Sequence, residues 1–386
     1  MAEERKKICF VTTVPITIKA FLLKLSYYMI EHHNYDVTFM CNDDEYLRSI
    51  QNEHLHFIPI KMKRGIGFDG IGVIWKLYKI FKREQYDIVQ YATPNASLYA
   101  CIAAKWAGIK VRMYNQWGVR YINFKGLARY SYRKLVKLMC DNATAIEVES
   151  HSIRNFSLED GLYEPEKAQV IWNGSASGVD LKKFDVNKRR QWCSEIRTEL
   201  GISRDTMVFG YAGRITRDKG INELVDAFVG IRFPEQAILF LVGDYDNEGT
   251  MRPDVVDQIE NNPRIMHISF TNELERYYAA MDVFCSLSYR EGFGLVVIEA
   301  GGIGTPGIVS NVPGQFDTII DGKTGVLAEV KNVESIRECI EYFIANPDKA
   351  KEMGANAVQH IVDNYDSEKL FEKLAQHRNE LIKASK

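Results

Sequence analysis

Two carboxylates eight positions apart, Glu291 and Glu299, bracket two glycines, Gly292 and Gly294, in the run Ser286-Leu287-Ser288-Tyr289-Arg290-Glu291-Gly292-Phe293-Gly294-Leu295-Val296-Val297-Ile298-Glu299-Ala300. The run follows an apolar strand pattern and opens a helix. Its glycines let backbone approach a ligand, and the helix-start amides of Leu295 and Val296 can point at phosphate oxygens. The two glutamates suit hydroxyls at opposite ends of a nucleotide sugar, as charge-assisted bonds of about 1.5 to 3 kcal/mol each. The plainer alternative makes Glu291 a partner of the helix dipole and Glu299 a solvated face residue. A second segment, Gly213-Arg214-Ile215-Thr216-Arg217-Asp218-Lys219-Gly220, lies between a strand pattern and a helix expected over Asn222–Phe228. Gly213 permits close approach. Arg214 and Lys219 set two cations beside a helix N-terminus worth about half a positive charge, a setting fit for a diphosphate. A turn with solvated charges is the alternative there.

The positioning elements repeat. Strand patterns at Lys7–Thr13, Tyr35–Met40, His56–Ile60, Asp87–Tyr91, Val111–Tyr114 and Ala143–Val148 alternate with helical stretches, one of them over Lys19–His32. After the polar stretch Asp180–Arg190 the alternation resumes with Met207–Tyr211, Ala237–Val242, Ile265–Ile268, Val283–Ser286 and Gly307–Ser310. Such alternation predicts α/β lobes with largely parallel sheets, which bind ligands beyond the carboxyl ends of their strands. A chain of 386 residues exceeds one core, so two domains are expected: 1-180, 181-366, and a terminal amphipathic helix, 367-386, packing back on the first.

The bulk numbers exclude several classes. No apolar run approaches the ~20 residues of a membrane span, and the N-terminal Met1–Lys7 lacks a signal peptide's apolar stretch, so a cytoplasmic chain is expected. Seven cysteines without a C-x-x-C pair argue against a disulfide framework or zinc site. The net charge of -2 hides an asymmetry: 22 Lys and Arg against 11 Asp and Glu through residue 140, then 27 against 40. One lobe is therefore suited to something anionic. No nucleic-acid motif or stacking platform is present, so nucleic acid is not an expected partner.

Taken jointly and in order, these segments resemble a known family. Glu291-Gly292-Phe293-Gly294 with Glu299 matches the E-x7-E signature of retaining GT-B glycosyltransferases, and Gly213-Arg214 with Lys219-Gly220 matches their phosphate-binding motif. Trp172–Asp180 with Phe184 looks like the element that ends the first lobe in glycosyltransferase family 4, and Asn311–Gly314 and Asp321–Gly325 resemble its later loops. The resemblance implies a GT-B fold, two Rossmann-like doubly wound domains facing a central cleft. It implies a UDP-sugar co-substrate, with no other cofactor and no metal. Glu291, Arg214 and Lys219 would be catalytic, with Gly213, Gly292, Phe293, Gly294, Leu295, Val296 and Glu299 binding the donor. Catalysis would be positioning plus electrostatic stabilisation of the leaving diphosphate.

Two departures bear on the acceptor. Where many family members have a histidine, this chain reads Gln116-Trp117-Gly118, and the first glycine-rich loop is replaced by Thr13-Val14-Pro15-Ile16. Thr13, Pro15, Gln116, Trp117 and Arg120 are thus the candidate acceptor or sugar contacts, with Trp117 alternatively an ordinary packed aromatic. An apolar first loop resembles the subgroup acting on undecaprenyl-diphosphate-linked sugars in capsule and exopolysaccharide assembly. Lys61-Met62-Lys63-Arg64 and the basic amphipathic stretch from Ile71 to Arg83 suit an anionic membrane surface, although lobe packing is another role for its apolar stripe. The expectation is a transferase peripheral to the inner face of the plasma membrane, moving a hexose or N-acetylhexosamine to a lipid-linked saccharide. A soluble transferase acting on a small metabolite and a non-catalytic nucleotide-sugar-binding module are the alternatives.

Overall fold

A parallel strand covered on both faces must be apolar along its whole length, and Met207–Ala212 and Ala237–Val242 are buried at every position. The computed structural model describes residues 4–63, 65, 67, 69–246 and 249–386, so Arg64 of the basic stretch and Met1 to Glu3 lie outside the described residues. The chain divides into two compact units, Met1–Ser177 with Glu368–Lys386, and Gly178–Ser367.

In the first unit the strands are β1 (Lys6–Val11), β2 (Tyr35–Cys41), β3 (Leu55–Pro59), β4 (Ile88–Tyr91), β5 (Val111–Gln116), β6 (Ala145–Val148) and β7 (Ala168–Gln169). They form one parallel sheet in the order β3-β2-β1-β4-β5-β6-β7. The second unit holds β8 (Met207–Ala212), β9 (Ala237–Val242), β10 (Ile265–Ile268), β11 (Val283–Ser286), β12 (Gly307–Ser310) and β13 (Gly325–Ala328). Its order is β10-β9-β8-β11-β12-β13, again parallel throughout. Strand order reverses at β1/β4 in one unit and at β8/β11 in the other, the switch points of doubly wound sheets. The two Rossmann-like domains expected from the alternation are present. The short edge strands β7 and β13 were not expected.

The helix expected over Lys19–His32 begins earlier and in pieces: Pro15–Thr17, a π-helical turn Ile18–Leu22, then Leu23–His33, which ends on the left-handed Asn34. The terminal helix Ser367–Ser385 contributes a fully buried arginine to the first unit. Arg378 donates to Gln90 Oε1 at 2.8 and 3.1 Å and to both Glu147 oxygens at 3.1 and 3.2 Å. Asn115 Nδ2 supplies Glu147 Oε1 with a further hydrogen bond at 2.9 Å. Burial pushes the Glu147 carboxyl up, but Arg378 and His377 outweigh it and hold the group down at about 2. Among the described residues no helix is long and apolar enough to cross a membrane.

Candidate active site

The loops leaving β8 and β11, the two strands of the second switch point, are tied together by backbone. Gly220 sits at φ 74°, after the 3-10 turn Arg217–Lys219 and before the helix Ile221–Val229. A Cβ on it would lie 2.2 Å from the Leu287 carbonyl oxygen, so only glycine lets the two loops close to this distance. The Tyr289 amide donates to the Asp218 carbonyl at 2.9 Å, and its hydroxyl donates to Glu223 Oε1 at 2.7 Å. The Lys331 ammonium covers the Tyr289 ring at 4.3 Å. These clamps bring the two candidate segments into contact: Lys219 Nζ meets Glu291 Oε2 at 2.7 Å, both side chains about a quarter exposed.

Arg214 is presented differently. The Tyr211 hydroxyl donates to the Arg214 carbonyl at 2.6 Å, and burial, followed by the nearby Glu291 charge, raises that hydroxyl's pKa so that it stays a donor. The curled backbone leaves Arg214 exposed, and its guanidinium makes no hydrogen bond or ion pair among the described residues. Gly213, at φ 141°, is exposed beside it. One free cation and one paired cation thus lie on one loop, next to a carboxylate from the other. Glu299 is half-buried on the helix Leu295–Gly302, near the fully buried Tyr278, whose hydroxyl is pushed well up by burial and then by the Glu299 charge.

Support for the second loop comes from Gly314, which closes the Asn311–Gly314 segment, and from Gln315, which the sequence did not single out. Gly314, at φ 85°, lies so close that a Cβ would approach the Glu291 and Gly292 carbonyl oxygens to 2.5 Å. The buried Gln315 donates through Nε2 to the Ser286 carbonyl at 2.6 Å. Gln315 carries no local signal of this role because its partner is 29 residues away.

Several of the expected donor contacts are engaged within the protein. Phe293 is 5% exposed and packs on the Tyr365 ring at 5.5 Å, so its ring anchors the loop in the core. The Leu295 amide is spent on the Phe293 carbonyl at 3.0 Å, leaving Val296 as the helix-start amide open to an anion. Gly292 and Gly294 are buried, and Gly294 has an ordinary φ of -83°; a Cβ on Gly294 would crowd the Val297 and Thr318 methyls at 3.2 and 3.3 Å.

In the first unit the acceptor candidates separate. Gln116 is 0% exposed, its amide donating to Ser157 Oγ at 3.0 Å and accepting from the Tyr163 hydroxyl at 2.7 Å. Both ends of its amide are therefore occupied in the interior. Trp117 is half-buried, its ring 5.3 Å from that of Phe21, and it lines a small recess with Asn115, Glu147, Glu149 and Ser175. Thr13 is buried and bonded to the Thr93 hydroxyl through both its amide and its own hydroxyl, each at 2.9 Å. Pro15 is half-buried at the first turn of its short helix, followed by the exposed Ile16. Arg120 is exposed, its guanidinium 5.8 Å from the Tyr132 ring centre. Phe21 and Trp117 thus bring the first loop beside the loop after β5.

Comparison with known proteins supplies the family. Residues 194–360 match the model for glycosyl transferases group 1, and residues 7–150 match the model for glycosyl transferase 4-like domains. The chain is 29% identical over 386 residues, 99% of each chain, to the capsular polysaccharide biosynthesis glycosyltransferase CapM of Staphylococcus aureus. It is 22% identical over 355 residues to the UDP-Gal:alpha-D-GlcNAc-diphosphoundecaprenol alpha-1,3-galactosyltransferase of Escherichia coli, covering 90% of this chain and 89% of that one. Among solved structures, a glycosyltransferase from Rickettsia africae superimposes with a TM-score of 0.81 at 19% identity, covering 99% of this chain and all of that one. Anabaena HepE, solved with UDP and glucose, gives 0.78 at 19% identity, over 97% of this chain and all of that one. Two family models that between them span both units, on two parallel switch-point sheets, place this chain in the glycosyltransferase 4 family, as an enzyme with the GT-B fold.

Proposed function

We propose that this glycosyltransferase moves a hexose or N-acetylhexosamine from a UDP-sugar to a lipid-linked saccharide, with retention at the anomeric carbon, in the assembly of a surface polysaccharide. The observation that carries the reading is the Lys219–Glu291 contact between the loops of β8 and β11. In this reading Arg214, Lys219 and the Val296 amide receive the diphosphate, and Glu291 receives a donor-sugar hydroxyl. Lys219 keeps Glu291 beside it while meeting the diphosphate, which orients Glu291 without leaving its charge uncompensated. As the bond to the anomeric carbon breaks, negative charge grows on the leaving diphosphate, where the two cations already stand; preorganised charge of this kind supplies much of the rate enhancement in many enzymes. No carboxylate nucleophile is invoked. The departing oxygen takes the proton of the attacking hydroxyl on the same face. Glu299 holds the ribose.

The acceptor side rests on the apolar Pro15-Ile16 turn and on the relatives named for capsule biosynthesis and for a diphosphoundecaprenol substrate. Work at the inner face of the plasma membrane follows from that acceptor. The test is transfer from a panel of UDP-, GDP- and ADP-sugars to an undecaprenyl-diphosphate saccharide, with product anomer read by proton NMR and parallel reactions in EDTA. An α-linked product from an α-UDP-sugar, undiminished by chelation, is expected. A β-linked product would overturn retention, and equal turnover on free sugars without lipid would overturn the acceptor.

A further inference from the structure

The positive charge of the first unit is concentrated. Through residue 69 the sequence carries nine Lys and Arg against nine Asp and Glu, whereas from 70 to 140 it carries thirteen against two. The whole excess of the first 140 residues therefore lies on three helices, Gly70–Glu84, Pro94–Ala107 and Gly126–Asn142, and the segments joining them. The middle helix packs against both of the others.

The first of these helices has an outward face of unusual make-up. Its period places Ile71, Trp75, Lys79 and Lys82 within an arc of about 80°, opposite the buried Leu77, Ile80 and Phe81. Ile71 is 60% and Trp75 52% exposed. Trp106, on the last turn of the middle helix, is 55% exposed, and its ring lies 6.1 Å from that of Trp75. The apolar stripe read from the sequence therefore serves two roles: one side packs the lobe, and the indoles stay in solvent. Lys79 and Lys82 share the arc of Trp75, Lys105 precedes Trp106, and Lys110 follows the middle helix, all exposed and without an ion pair among the described residues.

Exposed indoles on a face that also carries unpaired lysines match one environment, the headgroup level of an anionic bilayer. There the amphipathic ring is half-dehydrated and the ammonium groups meet lipid phosphate. A second copy of the same face would set lysine against lysine. We infer that this two-helix face seats on an anionic lipid surface, with Trp75 and Trp106 at headgroup depth and Lys79, Lys82 and Lys105 holding the phosphates. The inference deepens the lipid-linked acceptor reading by naming the surface that meets the membrane, but it is measured without donor or acceptor.

The test is sedimentation of the full chain with vesicles of phosphatidylcholine alone or mixed equally with phosphatidylglycerol. The wild type is expected to bind the mixed vesicles. Lys79→Ala/Lys82→Ala/Lys105→Ala should bind them about a hundredfold less well, at roughly fivefold per cation lost. Trp75→Ala/Trp106→Ala should lose most of the quenching of indole fluorescence by brominated lipid, although three other tryptophans remain. Both variants alter exposed side chains, so melting temperature and UDP-sugar hydrolysis in solution should stay at wild-type values. A wild type that fails to bind, or variants that bind equally well, would overturn the inference. So would concentration-dependent dimerisation that Trp75→Ala/Trp106→Ala abolishes, in the absence of vesicle binding. A wild type that binds vesicles but transfers no sugar would refute the proposed function alone.

Discussion

Lys219→Ala, Glu291→Gln and their combination separate catalysis from stability at the contact between the two loops. The pair is 2.7 Å apart with side chains 26% and 25% exposed. At that exposure an ion pair contributes about 0.5 to 1 kcal/mol to folding, which in a chain of this size lowers the melting temperature by no more than about 4 °C. The expected catalytic loss is larger. A cation aimed at charge that develops only in the transition state is worth about 100- to 1,000-fold in kcat, some 3 to 4 kcal/mol. Glu291→Gln keeps an acceptor oxygen for the sugar and loses the charge, so a loss of about 1.5 to 3 kcal/mol in kcat/KM is expected. Because each residue orients the other, the double variant should lose less than the sum of the two single losses. Initial rates of UDP release over a range of donor concentrations up to saturation, with thermal melts of all four proteins, measure each quantity. A Lys219→Ala enzyme within threefold of wild-type kcat, or strictly additive losses in the double variant, would refute the shared-site argument.

Gly314→Ala places a methyl 2.5 Å from the Glu291 and Gly292 carbonyls at a positive φ, so it should shift the donor loop and weaken UDP binding at least tenfold by calorimetry; unchanged affinity would detach that loop from the nucleotide. Phe293→Leu should lower the melting temperature, as expected of a trimmed core aromatic, while leaving donor KM within about twofold, and a selective rise in KM would restore Phe293 as a donor contact. Arg378→Met strands the buried Glu147 charge and should cost about 3 to 5 kcal/mol in urea unfolding at neutral pH. The Glu147 pKa is depressed to about 2 from 4.5, so its stabilisation is present above the higher value and lost as pH falls toward the lower. The gap between wild type and Arg378→Met should therefore narrow from about pH 5 to pH 2, and a constant gap would show that the cost lies elsewhere.

The sequence alone determined what is encoded locally. Central strands of a doubly covered parallel sheet are unbroken apolar runs, which is why β9, β11 and β12 coincide with the expected segments residue for residue, as does the edge strand β10, whose Ile265-Met266-His267-Ile268 is mostly apolar. β7, two residues long, and β13, which opens on Gly325, lie at sheet edges where burial imposes no such pattern. The candidate site was legible to the same degree. Glu291, the glycines and Glu299 fall within nine residues, and Gly213, Arg214 and Lys219 within seven, so spacing identified them as groups. Tertiary structure decided which groups meet and which way each side chain turns. Lys219 reaches Glu291 across 72 residues only because Gly220 and Tyr289 close the two loops. Spacing likewise could not tell that Phe293 turns into the core, that Gln116 satisfies its amide inside the lobe, or that Trp75 and Trp106 both face water. Those outcomes depend on how much room and how many hydrogen-bond partners the packed neighbours leave, and those neighbours come from distant parts of the chain.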